Sequence, residues 1–170
     1  MLRSIGVLIH EQYLAEYTTF YWKMYQELAL VATDKNCMAA VEILKHDMED
    51  HQILPRMVEE KQVEGLIVMG EISREYIRFM KEQTRIPIIF LDFYDKELAE
   101  DAVISDNFYG MYLLTELLFE RGYRKLAYVG SIHRTSSIMD RYCGFHKAML
   151  EHGEDLPEEW LIEDRDRLGN

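Results

Sequence analysis

The sequence predicts an α/β fold built on a doubly wound, mostly parallel sheet. Short apolar segments alternate along the chain with longer segments in which apolar residues recur at helical spacing. The apolar segments are continuous runs, which is typical of strands covered by helices on both faces of a sheet. Repeated strand–helix–strand units with right-handed crossovers then give an open sheet with helices on both sides.

Six segments are predicted as strands. They are residues 4–9, 38–44, 63–70, 86–93, 102–105 and 125–130. The first, SIGVLI, is typical of a compact buried strand, and the third ends in a glycine. The last also ends in a glycine, directly before a polar loop.

Five segments are predicted as helices. They are residues 18 to about 34, a segment with apolar positions Met48, Ile53, Met57 and Val58, a segment after Ser73 with apolar positions Tyr76, Ile77 and Met80, a segment from Asp106 or Asn107 to near Gly122, and residues 141–151. Pro55 interrupts the start of the second helix because proline has no N–H to donate. Ser73 is predicted to cap the third helix, and Asp106 or Asn107 the fourth, which ends near Gly122. From Pro157 onward the chain is polar and acidic, and we expect it to be poorly ordered.

Composition restricts the class of protein. The chain has 170 residues, of which 48% are hydrophobic, and this is enough for a folded domain with its own core. Its net charge of −12 repels phosphate backbones, so the chain itself is a poor nucleic-acid binder. No signal-peptide pattern and no membrane-length apolar stretch occur, so we expect a cytoplasmic protein. Cys37 and Cys143 are expected to be buried free thiols.

Most catalytic signatures are missing. The sequence has no GxGxxG after the first strand, no GxxxxGK[ST] and no GxSxG. His46 and His51 are five residues apart, a spacing that does not put two metal ligands on one helix face, so we predict no metal site there. Asp92 could accept a phosphoryl group or bind Mg²⁺, with Glu11 as its one acidic partner. We predict no enzyme activity and no cofactor.

Ligands of open α/β sheets bind beyond the carboxyl ends of the strands, where helices begin. Arg141 is predicted to lie in the loop after the sixth strand, either as an exposed charge or as a ligand contact. Its guanidinium offers several fixed donors to ring oxygens or a carboxylate. Asp106 either caps its helix or accepts a hydrogen bond from a ligand hydroxyl. Phe20 and Tyr21 either belong to the buried core face of their helix or stack on a sugar or base ring.

Several motifs occur in a characteristic order. They are SIGVLIH, TTFY, VEGLIVMG, IPIIFLDF, VISDNFYG, LLTELLFERGYRKLAYVG and SSIMDRYCGFHKAMLEHG. The last three are the most specific, since they combine an aspartate helix cap, a helix ending in R-G-Y-R-K, and S-x-x-x-R-x-x-G-F. In this order the motifs resemble the effector-binding domain of LacI/GalR-type transcription regulators. The resemblance implies a type I periplasmic-binding-protein-like fold with two lobes.

The resemblance also implies which residues bind the ligand. Arg141 matches an arginine that contacts a small-molecule effector in the cleft between the lobes, with Ser136 and Ser137 beside it as hydroxyl contacts or helix caps. The predicted ligand-binding residues are Arg141, Asp106, Ser137, Phe20, Tyr21 and Gly70. The sequence departs from the family in EQYLAEYTTFY, which is longer and more aromatic than the usual loop and has T-T in place of N-P.

Two larger departures concern the extent of the chain. We predict that residues 1–107 form the N-terminal lobe, and that residues 108–170 complete it and lead into a partial second lobe. No DNA-binding domain is expected in the sequence, because it begins at the first sensor strand. We expect the chain alone to bind effector weakly or not at all, and its exposed apolar surface to favour dimerisation.

The sequence therefore predicts a non-catalytic sensor. A sugar or sugar derivative would bind between the lobes and shift the DNA affinity of a homodimer, with DNA bound only through a helix-turn-helix domain absent from this chain. No membrane partner is expected. Two alternatives stay open: a periplasmic-type sugar-binding protein of a transporter, and a phosphoacceptor or receiver-like domain that uses Asp92 or Asp106.

Overall fold

The computed structural model describes residues 3–14, 19–98 and 101–164. The chain divides into two compact units, Met1–Ile104 and Ser105–Asn170, called unit 1 and unit 2 below. The α/β fold class is confirmed, because unit 1 contains a parallel sheet with helices on both faces. The assignment of residues 1–107 and 108–170 to particular lobes stays a prediction.

Within the described residues, unit 1 contains a parallel sheet of five strands. They are β1 (Arg3–His10), β2 (Cys37–Leu44), β3 (Gly65–Met69), β4 (Ile88–Leu91) and β5 (Asp101–Val103). The strand order is β2-β1-β3-β4-β5, so β1 pairs with both β2 and β3. Val7, Leu8 and Ile9 are fully buried, which explains why β1 is a continuous apolar run.

Helices cover both faces of this sheet. They are α1 (Thr19–Asp34), α2 (His46–Asp50), α3 (Arg56–Glu59) and α4 (Arg74–Gln83). On one face, Met24 and Leu28 of α1 pack against Val7 and Ile9 of β1. On the other face, α3 and α4 pack against β3 and β4, where Phe90 is fully buried. The cap predicted at Ser73 is confirmed, because its side chain accepts the backbone N–H of Tyr76.

The single helix predicted between β2 and β3 is wrong, because two short helices lie there instead. Pro55 has no backbone N–H to donate, so one continuous helix cannot run through it. It occupies the N-cap of α3. The Glu42 carboxylate of β2 accepts the backbone N–H groups of Arg56 at 2.7 Å and Met57 at 2.9 Å. These bonds satisfy two of the donors that a helix start leaves open, so a strand side chain caps α3 from the sheet.

Unit 2 is built around two long helices. Its elements are α5 (Asn107–Glu120), β6 (Tyr128–Val129), α6 (Ser136–Glu151), a 3-10 helix (Glu158–Trp160) and β7 (Leu161–Ile162). The predicted sixth strand is shortened to β6, which pairs in parallel with β7. The expectation of poor order after Pro157 is therefore wrong as far as Asp164. Residues 165–170 lie outside the described residues.

Gly144 lets α6 approach the backbone of α5. A Cβ atom at this position would lie 2.1 Å from the carbonyl oxygen of Phe108 and 3.0 Å from the backbone nitrogen of Tyr112. Below this crossing, Phe119 of α5 packs with Phe145 and other buried residues of α6. The glycine of the S-x-x-x-R-x-x-G-F motif is therefore a close-packing position between two helices.

The predicted start of the last helix is wrong. Helix α6 begins at Ser136, five residues before Arg141, because Thr135 supplies the cap: its hydroxyl oxygen accepts the backbone N–H of Ile138 at 3.3 Å. Neither Ser136 nor Ser137 caps the helix. Arg141 is therefore on the second turn of a helix and not in a loop.

This cap can be tested by substitution. Thr135→Ala is expected to lower the free energy of unfolding by about 1 kcal/mol, because one donor of the first turn of α6 loses its acceptor. Ser136→Ala, one residue away inside the helix, is expected to change it by less than about 0.5 kcal/mol. Urea unfolding followed by circular dichroism measures both. Equal losses in the two variants would mean that Thr135 is not the cap.

The cysteines differ from the expectation of two buried thiols. Both are free, but Cys37 is only half-buried and Cys143 is exposed on α6, so the expected burial is wrong for both.

Among the helices described, none combines the length and the apolar composition that a bilayer-spanning segment requires.

Candidate functional site

The carboxyl edge of the sheet in unit 1 is formed where β1, β3 and β4 end. Gly70 follows β3 and Asp92 follows β4, and both have a left-handed backbone, with φ of +80° and +71°. Glycine adopts this conformation without strain, whereas an aspartate there is uncommon. The chain therefore turns sharply at two neighbouring strand ends, as ligand-binding edges of open sheets do.

Three aromatic side chains, Tyr13, Tyr21 and Phe20, form a row at this edge, called the aromatic row below. The ring centres of Tyr13 and Tyr21 are 4.7 Å apart, and those of Tyr21 and Phe20 are 5.1 Å apart. Phe20 is 50% exposed, so its ring is not part of the buried face of α1. Tyr13 and Tyr21 are half-buried and pack against the core around Val7 and Ile9, so Phe20 is the ring of this row that is exposed to solvent.

Hydrogen bonds fix the aromatic row to the sheet. The Tyr21 hydroxyl donates to Oδ2 of Asp92 at 2.8 Å, and the Tyr13 hydroxyl donates to the carbonyl oxygen of Glu71 at 2.7 Å. A Cβ atom on Gly70 would lie 2.6 Å from the Tyr13 ring, so the absence of a side chain at Gly70 makes room for that ring. Gly70, predicted as a ligand contact, thus positions Tyr13.

The acidic pair required by the phosphoacceptor alternative is engaged elsewhere. Asp92 is 9% exposed and accepts the Tyr21 hydroxyl. Glu11, its predicted acidic partner, accepts the backbone N–H of His46 at 2.8 Å. Asp106 accepts the backbone N–H of Tyr109 at 2.9 Å and so caps α5, as predicted.

His10, His46 and Glu49 form a second group at this edge, called the His–Glu cluster below. One ligand atom of each lies within 4.8 Å of the others. The pKa of His10 is lowered from its ordinary value, mainly because the ring is buried. The nearby Glu49 opposes this shift, and His46 adds to it. Sequence reasoning missed this cluster because it compared His46 only with His51. The available signal was the three-residue spacing of His46 and Glu49.

In unit 2, Arg141 is held by Asn107. The Nε group of Arg141 donates to Oδ1 of Asn107 at 2.8 Å, and the arginine is half-buried. Within residues 105–164 its two terminal nitrogens make no hydrogen bond. The sequence predicts Asn107 only as a possible helix cap, and it does not reveal that Asn107 orients the guanidinium. The bond fixes one edge of the guanidinium and leaves the outer donors available.

Two other predicted ligand-binding residues, Ser137 and Asp106, belong to the same part of unit 2. Ser137 lies four residues before Arg141 and therefore on the same face of α6. Its hydroxyl is 3.1 Å from that of Thr135. Asp106 is exposed and directly precedes Asn107. Unit 2 thus brings Arg141, Ser137 and Asp106 to the starts of α5 and α6, while Phe20, Tyr21 and Gly70 lie in unit 1. That all six contact one ligand stays a prediction.

An apolar pocket of about 480 Å³ lies between α1 and the sheet of unit 1. Its lining includes Ile5, Met24, Leu28, Ile67 and Leu91. Sites for hydroxylated ligands need several convergent polar groups, which this lining does not provide. We therefore take as candidates the strand ends of unit 1 and, separately, the helix starts of unit 2.

No protein-family model matches the chain. The HTH-type transcriptional repressor PurR of Escherichia coli O1:K1 is 31% identical over 140 residues, covering 78% of this chain and 41% of PurR. The LacI-family regulator CCPA of Weissella paramesenteroides, solved with bound glucose, has a TM-score of 0.72 and 24% identity over 95% of this chain and 58% of that chain. The Lac repressor dimer bound to operator and the anti-inducer ONPF has a TM-score of 0.75 and 17% identity over 98% and 56%. The chain spans about two fifths of the length of PurR.

Proposed function

Because this chain belongs to the LacI family of transcriptional regulators, we propose that it is the effector-sensing part of such a regulator and has no catalytic role. The observation that carries the proposal is the oriented guanidinium of Arg141. Asn107 holds its Nε, and the outer nitrogens remain available to a ligand. The guanidinium of Arg141 is rigid, and its bond to Asn107 already restricts its motion. It therefore loses little conformational freedom when a ligand binds.

The effector is a small hydroxylated molecule, a sugar or sugar derivative. Such a ligand presents several oxygens that accept hydrogen bonds from Arg141, while its hydroxyls can donate to Asp106 and bond with Ser137. The related CCPA of Weissella paramesenteroides, solved with bound glucose, supports this class. The exposed Asp106 carboxylate keeps acceptor capacity beyond its single cap bond.

Unit 1 contributes the aromatic contact. In this proposal Phe20 and Tyr21 pack against the apolar face of the sugar ring, and Gly70 keeps Tyr13 in place beside them. Residues 1–107 correspond to the N-terminal lobe of the sensor, and residues 108–170 to its remainder and part of the second lobe. The covering of Phe20 by a ligand would bury an aromatic surface that is now half exposed.

In the complete regulator, effector binding changes the DNA affinity of a homodimer. A ligand can shift such an equilibrium only by binding one conformation more tightly than the other. DNA would be bound by a helix-turn-helix domain outside this sequence, since the −12 net charge of this chain opposes contact with phosphates. The similar fold of the Lac repressor dimer bound to operator supports this arrangement. A regulator of this kind would act in the cytoplasm.

Titration with D-glucose and a panel of other monosaccharides tests the proposal. Amide NMR shifts of α6 report the dissociation constant, and this method reads weak binding. Arg141→Ala is expected to weaken binding about 10- to 100-fold, because hydrogen bonds from a charged donor are lost. Asn107→Ala keeps the guanidinium but removes its support, so a smaller loss is expected.

Arg134→Ala is the matched control, since Arg134 is an exposed arginine just before α6. It should bind the same sugar as the unaltered protein does. Equal losses in Arg134→Ala and Arg141→Ala would leave only a general charge effect and contradict the assigned role. Unchanged α6 resonances with every sugar, together with shifts on adding a small molecule that is not a sugar, would contradict the ligand class.

A further inference from the structure

The His–Glu cluster joins two elements of unit 1 through groups that bind metal ions. His10 is the last residue of β1, and His46 and Glu49 lie three residues apart on α2, which puts them on one helix face. Nε2 of His10 lies 3.1 Å from Oε2 of Glu49, and the two histidine rings are centred 4.4 Å apart. The three side chains converge from a strand end and a helix.

The His10 side chain is unusual within this cluster. It is 1% exposed, and among the described residues its Nε2 makes no aligned hydrogen bond, although Glu49 is close. A buried polar atom without a hydrogen-bond partner costs free energy, so its presence in a folded protein calls for an explanation, of which a bound ion is one. This nitrogen faces a carboxylate and a second imidazole, which are the partners that a metal ion would share with it.

Neighbouring groups already hold the cluster in place. Oε1 of Glu49 accepts the backbone N–H of Ser73 at 2.6 Å, which leaves Oε2 directed to His10. The backbone N–H of His46 is held by Glu11. Supporting bonds of this kind orient the ligands in metal sites.

We propose that His10, His46 and Glu49 bind a divalent transition-metal ion, with Zn²⁺ as the best match. Two imidazoles and one carboxylate are a ligand set that suits Zn²⁺, whereas Mg²⁺ and Ca²⁺ prefer oxygen ligands alone. Ligand atoms on one Zn²⁺ ion lie about 3.4 Å apart, given bonds of about 2.1 Å. The His46 side chain is exposed and would have to turn inward to bring its ligand atom to this distance.

Metal binding at Nε2 requires a proton to move. The backbone N–H of Gln12 donates to Nδ1 of His10 at 3.1 Å, so the proton of the neutral ring is on Nε2. When the metal takes Nε2, that proton moves to Nδ1, which can no longer accept the N–H of Gln12. The Gln12 amide must then change its partner, and its NMR resonance reports on the site directly.

Calorimetric titration of the protein with Zn²⁺ in chelator-free buffer tests the proposal. One ion is expected to bind per chain, with a shift of the Gln12 amide resonance that EDTA reverses. His46→Ala, which removes an exposed ligand and leaves the core intact, is expected to weaken binding at least about tenfold. Glu49→Gln keeps an acceptor for Ser73 and should weaken binding similarly.

His51→Ala is the matched control, because His51 is an exposed histidine just after α2 and outside the cluster. It should bind Zn²⁺ as tightly as the unaltered protein. Absence of Zn²⁺ binding, an unshifted Gln12 resonance, or equal affinity of His46→Ala and the unaltered protein would each overturn the proposal. So would equal losses in His46→Ala and His51→Ala.

Discussion

Gly144→Ala is expected to lower the free energy of unfolding by about 3 kcal/mol or more, through overpacking between α5 and α6. The added Cβ would lie 2.1 Å from the carbonyl oxygen of Phe108. That oxygen belongs to backbone, so it cannot turn aside as the end of a side chain could, and α6 has to move away from α5. Urea unfolding followed by circular dichroism measures the loss.

Gly110→Ala is the matched control within α5. Nothing lies within 4 Å of a Cβ built at Gly110, so alanine is expected to stabilise the helix by about 0.5–1 kcal/mol. If Gly144→Ala proved as harmless as Gly110→Ala, the close approach of α5 and α6 would be wrong. The same movement would separate Arg141 from Asn107, because Arg141 lies one turn before Gly144 on α6.

Gly70→Ala is expected to lower the free energy of unfolding by about 2–4 kcal/mol, from two separate costs. The backbone there has a φ of +80°, which strains any residue with a Cβ. The new Cβ would also lie 2.6 Å from the Tyr13 ring and displace it. Thermal and urea unfolding of the variant measure the sum.

Two further variants separate these costs. Gly122→Ala meets the same backbone restriction, with a φ of +89° and no atom within 4 Å of the Cβ, so it should lose only the backbone part, about 1–2 kcal/mol. Adding Tyr13→Ala to Gly70→Ala should recover part of the loss, as a double-mutant cycle would show. Equal losses at Gly70 and Gly122 would mean that Tyr13 does not pack on Gly70.

Much of unit 1 could be predicted because its signals are local. The strands are continuous apolar runs since both faces of the sheet are covered, and they end within a few residues of the predicted positions. The caps at Ser73 and Asp106 depend on side chains bonding to nearby backbone, so they too can be read from short motifs.

The remaining features depend on residues far apart in the sequence. The pairing of β6 with β7 joins Tyr128 to Leu161, and nothing in either segment specifies the other. The His–Glu cluster needs the end of β1 to meet α2, which only the register of β1 and β2 brings about. Arg141 was recognised from its motif, but its partner Asn107 comes from the preceding helix, so the orientation of the guanidinium could not be predicted.

The order β2-β1-β3 has a consequence for biosynthesis. Of these three strands β1 is synthesised first, yet it lies between β2 and β3, which are synthesised later. The pairing of β1 with β3 extends to Met69. One edge of β1 therefore stays unpaired in the nascent chain until about two thirds of unit 1 has emerged. Such delayed pairing slows folding and leaves the apolar strand accessible to chaperones during translation.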